Sequence, residues 1–80
     1  MNTMNITLYT KSACPNCVSA KNLLKAKGLT YSEVNLDIDT ERAAFTEQHP
    51  GVRQMPQVFI DGQRVGGLAG LQAALAQAGL

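Results

Sequence analysis

Residues 6–17 of this 80-residue chain read ITLYTKSACPNC, which places the chain's only two cysteines just after a run of β-forming residues. Residues 6–10 alternate in character, a pattern that predicts a strand. Pro15 suits the first turn of a helix, because its missing N–H would have been unpaired there anyway. The stretch therefore predicts a strand, a short loop and a helix that starts within Cys14-Pro15-Asn16-Cys17.

The position of the two cysteines suggests their chemistry. A thiol at the start of a helix faces unpaired backbone N–H groups and the positive end of the helix dipole. Both favour the thiolate, which is the nucleophilic form of cysteine. We expect Cys14, at the cap position, to be the exposed nucleophile, and Cys17, one turn later, to be more buried and to close a disulfide on it. The pair therefore predicts dithiol–disulfide exchange.

Two other uses of the cysteine pair are open to the sequence. A zinc site usually needs four ligands, and the only other soft ligand available is His49. His49 precedes Pro50 and suits a helix end instead, where a cation is favoured by the dipole. The second alternative, a structural disulfide across a four-residue loop, would remove little chain entropy. We therefore favour redox exchange over metal binding or a static crosslink.

Two elements follow the first helix, which is predicted to run to about Lys27 and to stop at Gly28. Residues 31–36 alternate in character and predict a second strand. Asp39 or Thr40 is predicted to cap a short helix that runs through about Gln48.

The last part of the chain predicts a hairpin and a third helix. Asp61-Gly62 separates the β runs 57–60 and 63–65, and this dipeptide favours a turn in which both residues have positive φ. Gly66-Gly67 then leads into a helix whose leucines recur at helical spacing. Gly70 is expected to weaken that helix by up to about 1 kcal/mol relative to alanine.

The order of elements is βαβαββα, with no repeat or linker, so residues 1–80 are predicted to form one α/β domain. The helix between the first two strands implies that they run parallel, with a right-handed crossover. The hairpin adds two antiparallel strands. We therefore expect a mixed sheet with helices on its faces.

Composition excludes several classes of function. Seven basic residues against six acidic ones give a net charge of +1 without a basic tract, which argues against nucleic acid as a partner. No apolar run approaches the roughly 20 residues that span a bilayer, so no membrane association is expected. Residues 1–5 have neither a basic start nor an apolar stretch, which predicts no signal peptide and a cytoplasmic location.

Five segments together resemble bacterial dithiol glutaredoxins, in order and over essentially the whole chain. They are Tyr9-Thr10-Lys11, Cys14-Pro15-Asn16-Cys17, Met55-Pro56, Asp61-Gly62 and Gly66-Gly67. The resemblance implies the thioredoxin fold, with a four-stranded mixed sheet and three helices. It also implies a monomeric disulfide oxidoreductase that acts on disulfide-bearing proteins, has no bound cofactor, and uses glutathione as co-substrate.

The same resemblance implies a set of binding residues around Cys14 and Cys17. Pro56 would follow a cis peptide bond, and the backbone of Met55 would pair with the thiol substrate like an added strand. From their positions, Lys11 beside the cysteines is expected to hold a substrate carboxylate rather than to be a solvated loop lysine, and Arg53, just ahead of Pro56, either contacts substrate or partner or has only a surface role. The full substrate- and glutathione-binding set is Lys11, Pro15, Asn16, Arg53, Met55, Pro56, Gly67, Leu68 and Ala69.

Three departures from the family pattern bear on glutathione. Asn16 replaces the usual aromatic residue, and Gln54-Met55 replaces a threonine and a valine. The run Leu68-Ala69-Gly70 lacks the acidic or hydroxyl residue that holds the γ-glutamyl end of glutathione in many glutaredoxins. The backbone N–H groups at the start of that helix can still hold a carboxylate. We therefore predict a disulfide reductase with weakened glutathione binding.

A second resemblance points to a different reductant. Arg53-Gln54-Met55-Pro56 is similar to the glutaredoxin-like redoxins that carry electrons to ribonucleotide reductase, some of which are recharged by thioredoxin reductase. Those proteins tend to have a tryptophan near the double glycine, and this chain has none. Glutathione and thioredoxin reductase both stay open as the reductant. The alternative function is an iron–sulfur cluster shared by two copies with glutathione, which Pro15 disfavours by stiffening the loop.

Overall fold

The structure, a computed structural model, describes residues 4–80; of residues 1–5, on which the signal-peptide prediction rests, the first three lie outside it. The described part contains no helix long and apolar enough to cross a membrane. Its elements follow the predicted order: β1 Ile6–Thr10, α1 Pro15–Ala26, β2 Ser32–Asn35, α2 Asp39–Gln48, β3 Gln57–Ile60, β4 Gln63–Gly66 and α3 Leu68–Gln77.

The strands form one mixed sheet in the order β2-β1-β3-β4. β1 runs parallel to β2, as a strand–helix–strand connection requires, and antiparallel to β3, which pairs antiparallel with β4. The predicted thioredoxin-type architecture of four strands and three helices is confirmed. Because β1 is an inner strand, the loop that follows it lies near the middle of one end of the sheet, not beside an edge strand.

Alternate residues of the central strands supply two different packing faces. On one face, Ile6, Leu8 and Val58 are fully or almost fully buried against α1 and α3. The helices contribute Ala20, Leu24, Leu71 and Leu75 to this core. On the opposite face, an aromatic cluster joins the sheet to α2: the rings of Tyr9, Phe59, Phe45 and His49 have centroids 4.7–5.4 Å apart.

The turn of the β3–β4 hairpin has the predicted conformation. Asp61 and Gly62 have φ values of 52° and 83°, so both lie in the left-handed region that the dipeptide favours. The backbone N–H of Asp61 also donates to the Asn5 carbonyl at 2.8 Å, and its carboxylate accepts the Asn5 N–H at 2.9 Å. The turn is therefore fixed to the residue that precedes β1.

Two predicted boundaries differ from the structure. β2 is Ser32–Asn35 rather than 31–36, because its pairing with β1 ends where Thr10 meets Asn35. The cap of α2 is Ile38, which makes no side-chain cap bond. Asp39 is instead the first helical residue, and its carboxylate accepts a hydrogen bond from Arg42 at 2.6 Å. The predicted aspartate or threonine cap is therefore wrong.

Gly70 has a packing role that helix propensity does not indicate. A Cβ atom at this position would overlap the carbonyl group of Val65 in β4. The absence of a side chain lets α3 lie directly on the backbone of the hairpin, with Leu71 and Leu75 buried in the core. Glycine is tolerated within this helix because the close approach offsets its propensity cost.

We expect Gly70→Ala to lower the free energy of unfolding by about 1–3 kcal/mol, although alanine is the better helix former. The added methyl must push α3 away from β4. Urea denaturation measures the change. Gln72→Ala, at an exposed position of the same helix, is the control and should stay within about 0.5 kcal/mol of the original chain. An unchanged stability for Gly70→Ala would contradict the close-packing argument.

A polar network joins the first two strands to α1. The Glu33 carboxylate accepts a hydrogen bond from the buried Thr10 hydroxyl at 2.8 Å and forms a salt bridge with Lys21, also at 2.8 Å. Hydrogen bonding by Lys21 first, then by Thr10, and the positive charges of Lys21 and Lys25 hold the pKa of Glu33 below its ordinary value of 4.5. The ionised carboxylate therefore stabilises the folded state.

The sign of this shift predicts a pH dependence of stability. A lowered pKa in the folded protein gives stability that is present above pH 4.5 and is lost as pH falls through the folded value. Glu33→Gln should therefore lower the unfolding free energy at neutral pH, by less than about 1 kcal/mol because the ion pair is about a third exposed. The difference from the original chain should shrink at acid pH, as chemical denaturation would measure.

Glu47→Gln is the matched control for that change. Glu47 is exposed on α2 and forms no salt bridge within residues 4–80. This variant should show a much smaller difference from the original chain at neutral pH. A gap for Glu33→Gln that stays constant from neutral to acid pH would show that the ionised carboxylate is not what stabilises the network.

Candidate functional site

The two cysteines form a disulfide at the leading end of α1, with Cα atoms 5.2 Å apart. Cys14 is the N-cap residue, as predicted, and Pro15 is the first helical residue. The backbone N–H of Cys17 donates to Cys14 Sγ at 3.1 Å. The Cys14 carbonyl accepts the N–H of Val18 at 3.3 Å, which begins the helical hydrogen bonding. The helix therefore directs an amide and its dipole at the Cys14 sulfur.

Both cysteines are covered in this oxidised form. Cys14 is 8% exposed and Cys17 is 2% exposed, so the predicted order of burial is confirmed. The expectation that Cys14 is an exposed nucleophile is wrong for the disulfide form. The cover includes Met55, whose carbonyl oxygen lies 3.5 Å from Cys14 Sγ.

The loop before Cys14 is held by Asp37, a residue that the sequence analysis missed. Its carboxylate oxygens accept the backbone N–H of Ser12 at 3.1 and 3.3 Å. Its own N–H donates to the Asn35 side chain at 2.8 Å. Ala13, which follows Ser12, has a φ of +52°, a left-handed conformation that is uncommon for alanine. Asp37 thus anchors the turn that brings Cys14 to the cap position, and no sequence motif marks it.

A second loop lies across the site. The Met55–Pro56 peptide bond is cis, as the resemblance implied. The buried Gln57 side chain donates from Nε2 to the Gln54 carbonyl at 2.9 Å, which fixes the start of this loop. On the other side of the loop, the Pro56 carbonyl oxygen packs closely against Gly67: a Cβ atom at Gly67 would lie only 3.4 Å from it. The loop is therefore held between β3 and the start of α3.

The predicted binding residues fall into two groups and a separate pair. Lys11, Arg53 and Met55 line one cavity of about 410 Å³, together with Arg42 and Asp37. Gly67, Leu68 and Ala69 form the start of α3, beside the buried Pro56. Pro15 and Asn16 are exposed in the first turn of α1 and do not line the cavity. The structure thus brings three of the predicted residues to one cavity.

Positive charge predominates in that cavity. Lys11 and Arg53 are exposed, and neither forms a salt bridge in the part of the chain that the structure describes. Arg42 also lines the cavity and is paired with Asp39. The carboxylate of Asp37 is engaged by Ser12. The unpaired cations leave a site suited to a carboxylate ligand.

His49 does not lie with other soft metal ligands. Its ring packs against Phe45 and Phe59 at centroid distances of 5.0 Å. Within residues 4–80, no group of three or more histidine, cysteine, aspartate or glutamate side chains is arranged to hold a metal ion. The ring is part of the aromatic packing between α2 and the sheet.

Comparison with known proteins identifies the family. The family model described as Glutaredoxin matches residues 6–65. The chain belongs to the glutaredoxin family. Glutaredoxin 3 of Escherichia coli K12 is 38% identical over 76 residues, which cover 95% of this chain and 92% of that protein. A glutaredoxin of Neisseria meningitidis is also 38% identical over 76 residues, covering 94% and 89% of the two chains.

Solved structures agree with this assignment. Glutaredoxin 1 from Francisella tularensis, complexed with cacodylate, matches with a TM-score of 0.78 and 28% identity, covering 95% of this chain and 96% of that one. A buckwheat glutaredoxin–glutathione complex matches with a TM-score of 0.74 and 26% identity, covering 96% and 73%. This glutaredoxin is therefore a thiol–disulfide oxidoreductase, and the Cys14–Cys17 disulfide is the oxidised form of its dithiol.

We expect the reduced glutaredoxin to react with iodoacetamide first at Cys14. The reaction should proceed at pH values well below about 8.5, the pKa of an ordinary thiol. The Cys17 N–H and the helix dipole stabilise the Cys14 thiolate. The pH dependence of alkylation measures this directly. Cys17→Ser leaves Cys14 alone and should keep the low apparent pKa. Cys14→Ser leaves the buried Cys17 alone and should react slowly; the reverse result would contradict the assignment.

Proposed function

We propose that this glutaredoxin reduces disulfides of proteins and small molecules, with Cys14 as the attacking residue and Cys17 as the resolving one. The observation that carries the proposal is the position of Cys14 Sγ between the Cys17 N–H at 3.1 Å and the Met55 carbonyl at 3.5 Å. The amide stabilises a thiolate, and the Met55 backbone offers an edge to an incoming chain.

The proposed reaction transfers two electrons in two exchange steps. The Cys14 thiolate attacks one sulfur of the substrate disulfide, forms a mixed disulfide, and releases the other substrate sulfur as a thiolate. Cys17, deprotonated, then attacks Cys14 Sγ and releases the second substrate sulfur as a thiolate, and the two substrate thiolates take up the two protons that the cysteines gave up. The substrate is reduced to two thiols, and the protein is oxidised to the Cys14–Cys17 disulfide.

Glutathione is the proposed co-substrate, and the cavity supports this choice. Two glutathione molecules can return the protein to the dithiol and leave as glutathione disulfide. Lys11 and Arg53 supply the positive charge for a peptide carboxylate, and Met55 lines the same cavity. The buckwheat relative forms a complex with glutathione. We therefore place the glycyl end of glutathione beside Lys11 and Arg53.

The γ-glutamyl end has fewer partners. We place it at the start of α3, where the first N–H groups of Leu68 and Ala69 favour a carboxylate. No acidic side chain is present there for the ammonium group. Gly70 cannot supply one, because a Cβ at that position overlaps Val65. This arrangement supports weak glutathione binding and makes thioredoxin reductase the alternative reductant.

The reductant is tested by comparing recharging rates. Oxidised protein should be reduced by glutathione with a high KM, and Ala69→Asp should lower that KM about two- to fivefold by pairing with the ammonium group. Ala73→Asp adds the same charge one turn later, at an exposed position, and should not change the KM. If the original chain already saturates at low glutathione concentration, weakened binding is wrong. Efficient reduction by thioredoxin reductase alone would make that enzyme the electron source.

The protein targets are tested by trapping. In Cys17→Ser, Cys14 can form the mixed disulfide but Cys17 cannot resolve it. Partners such as ribonucleotide reductase should stay covalently attached and be released by a reducing agent. Cys14→Ser is the matched control and should trap none of them. Equal trapping by the two variants would contradict the assigned roles of the cysteines.

A further inference from the structure

We call the cavity lined by Lys11, Arg53 and Met55, where glutathione is proposed to bind, the glutathione cavity. A second cavity, the second hollow, lies next to it on the face of the sheet that carries α2. Its volume is about 530 Å³, and it is lined by residues 50–54, Gln57 and Arg64. Arg64 reaches it from β4, where it is the register partner of Phe59. Arg53 comes from the loop on the other side. The hollow is therefore bounded by two arginines from separate parts of the chain.

The charges of this hollow are unbalanced. No carboxylate occurs among its lining residues. Arg53 and Arg64 are both exposed, and within residues 4–80 neither forms a salt bridge or a side-chain hydrogen bond. Two guanidinium groups without acidic neighbours attract carboxylates, which they can bind with paired N–H donors. The hollow thus favours an acidic ligand.

The hollow is continuous with the redox site. It shares Gly51, Val52 and Arg53 with the glutathione cavity. Gln54 lines it, and the next residue is Met55, whose carbonyl contacts Cys14 Sγ. An extended chain advances about 3.3 Å per residue, so a peptide that pairs with Met55 and runs along residues 51–54 would bring residues beside its cysteine to the hollow.

The length of the occupant follows from this continuity. Glutathione is a tripeptide, and its proposed place is the cavity that holds Lys11 and Met55. A protein substrate continues beyond its cysteine in both directions. A protein segment that continues beyond its cysteine therefore has residues available for the second hollow as well as for the cavity beside Met55.

We propose that the second hollow binds acidic residues flanking the disulfide of a protein substrate, with Arg53 and Arg64 as specificity-determining residues. The inference rests on the proposed function and adds the substrate class: disulfides in acidic segments. Arg64 discriminates protein substrates from glutathione, because it lines only the second hollow. Arg53 lines both and contributes to both.

The test uses cyclic peptide disulfides whose cysteines are flanked by glutamates, by glutamines or by lysines. Pre-reduced protein is mixed with each peptide, and the single-turnover rate is followed by alkylation and mass spectrometry. The glutamate peptide should react fastest. Arg64→Gln should lower its rate about two- to fivefold, the range of an exposed ion pair, and leave the glutamine peptide and glutathione disulfide unchanged. The effect should fade at high salt.

Lys27→Gln is the charge-matched control. Lys27 caps the far end of α1, about 18 Å from Cys14 along a 12-residue helix, and should leave all rates unchanged. Equal rates for the glutamate and glutamine peptides, or an equal effect of Lys27→Gln, would overturn the inference while the oxidoreductase function stands.

A binding measurement separates failure of the chemistry from failure of the hollow. A fluorescent glutamate peptide with serines in place of its cysteines is titrated with oxidised protein and with Arg64→Gln. Tighter binding to the original chain supports the hollow even if no peptide disulfide is reduced. Equal anisotropy curves for the two proteins would overturn it. Loss of reduction of every disulfide would instead count against the proposed function.

Discussion

The hydrogen bond from the Cys17 N–H to Cys14 Sγ is the contact on which the chemistry of this protein depends. It exists because Cys14 caps α1, where the first amides have no helical partners. The fold places that cap at the end of the central strand β1 and holds the intervening loop through Asp37. The cap bond itself is local to residues 14–17, whereas the fold determines what lies beside the sulfur, including the Met55 carbonyl at 3.5 Å.

Sequence patterns predicted the elements that depend on local rules. The Asp61–Gly62 turn follows from φ preference, and the start of α1 follows from the missing N–H of Pro15. The predicted cap of α2 was wrong because the helix starts at Asp39 itself, with Ile38 as the cap residue and Asp39 paired with Arg42 in the first turn. Gly70 was judged on helix propensity alone, whereas its role depends on how close α3 comes to Val65. That distance is a tertiary property and has no local signature.

The site shows the same division. The cysteine spacing and the family resemblance identified Cys14, Cys17 and the cis peptide before Pro56. The residues that hold these groups in place, Asp37 and Gln57, were not predicted. Asp37 accepts a hydrogen bond from the backbone of Ser12, which is distant in sequence, and Gln57 donates one to the Gln54 carbonyl in the adjacent loop. The Asp37 bond depends on β1 and β2 becoming neighbours, and the Gln57 bond depends on the shape of the loop before β3. A carboxylate after a strand and a glutamine within one are common, so neither residue type indicates a role by itself.

The packing of α3 bears both on stability and on the proposed place of glutathione. Gly70 lets the helix lie on β4, and Gly67 lets its start approach Pro56 in the loop beside Cys14. The close packing leaves no room for a side chain at Gly70 that could hold the ammonium group of glutathione. The cations that form no salt bridge within residues 4–80 line the two cavities instead, at Lys11, Arg53 and Arg64. In the proposed mode of binding, a ligand finds its charged partners along this side rather than at α3, and a protein segment can extend along it further than a tripeptide can.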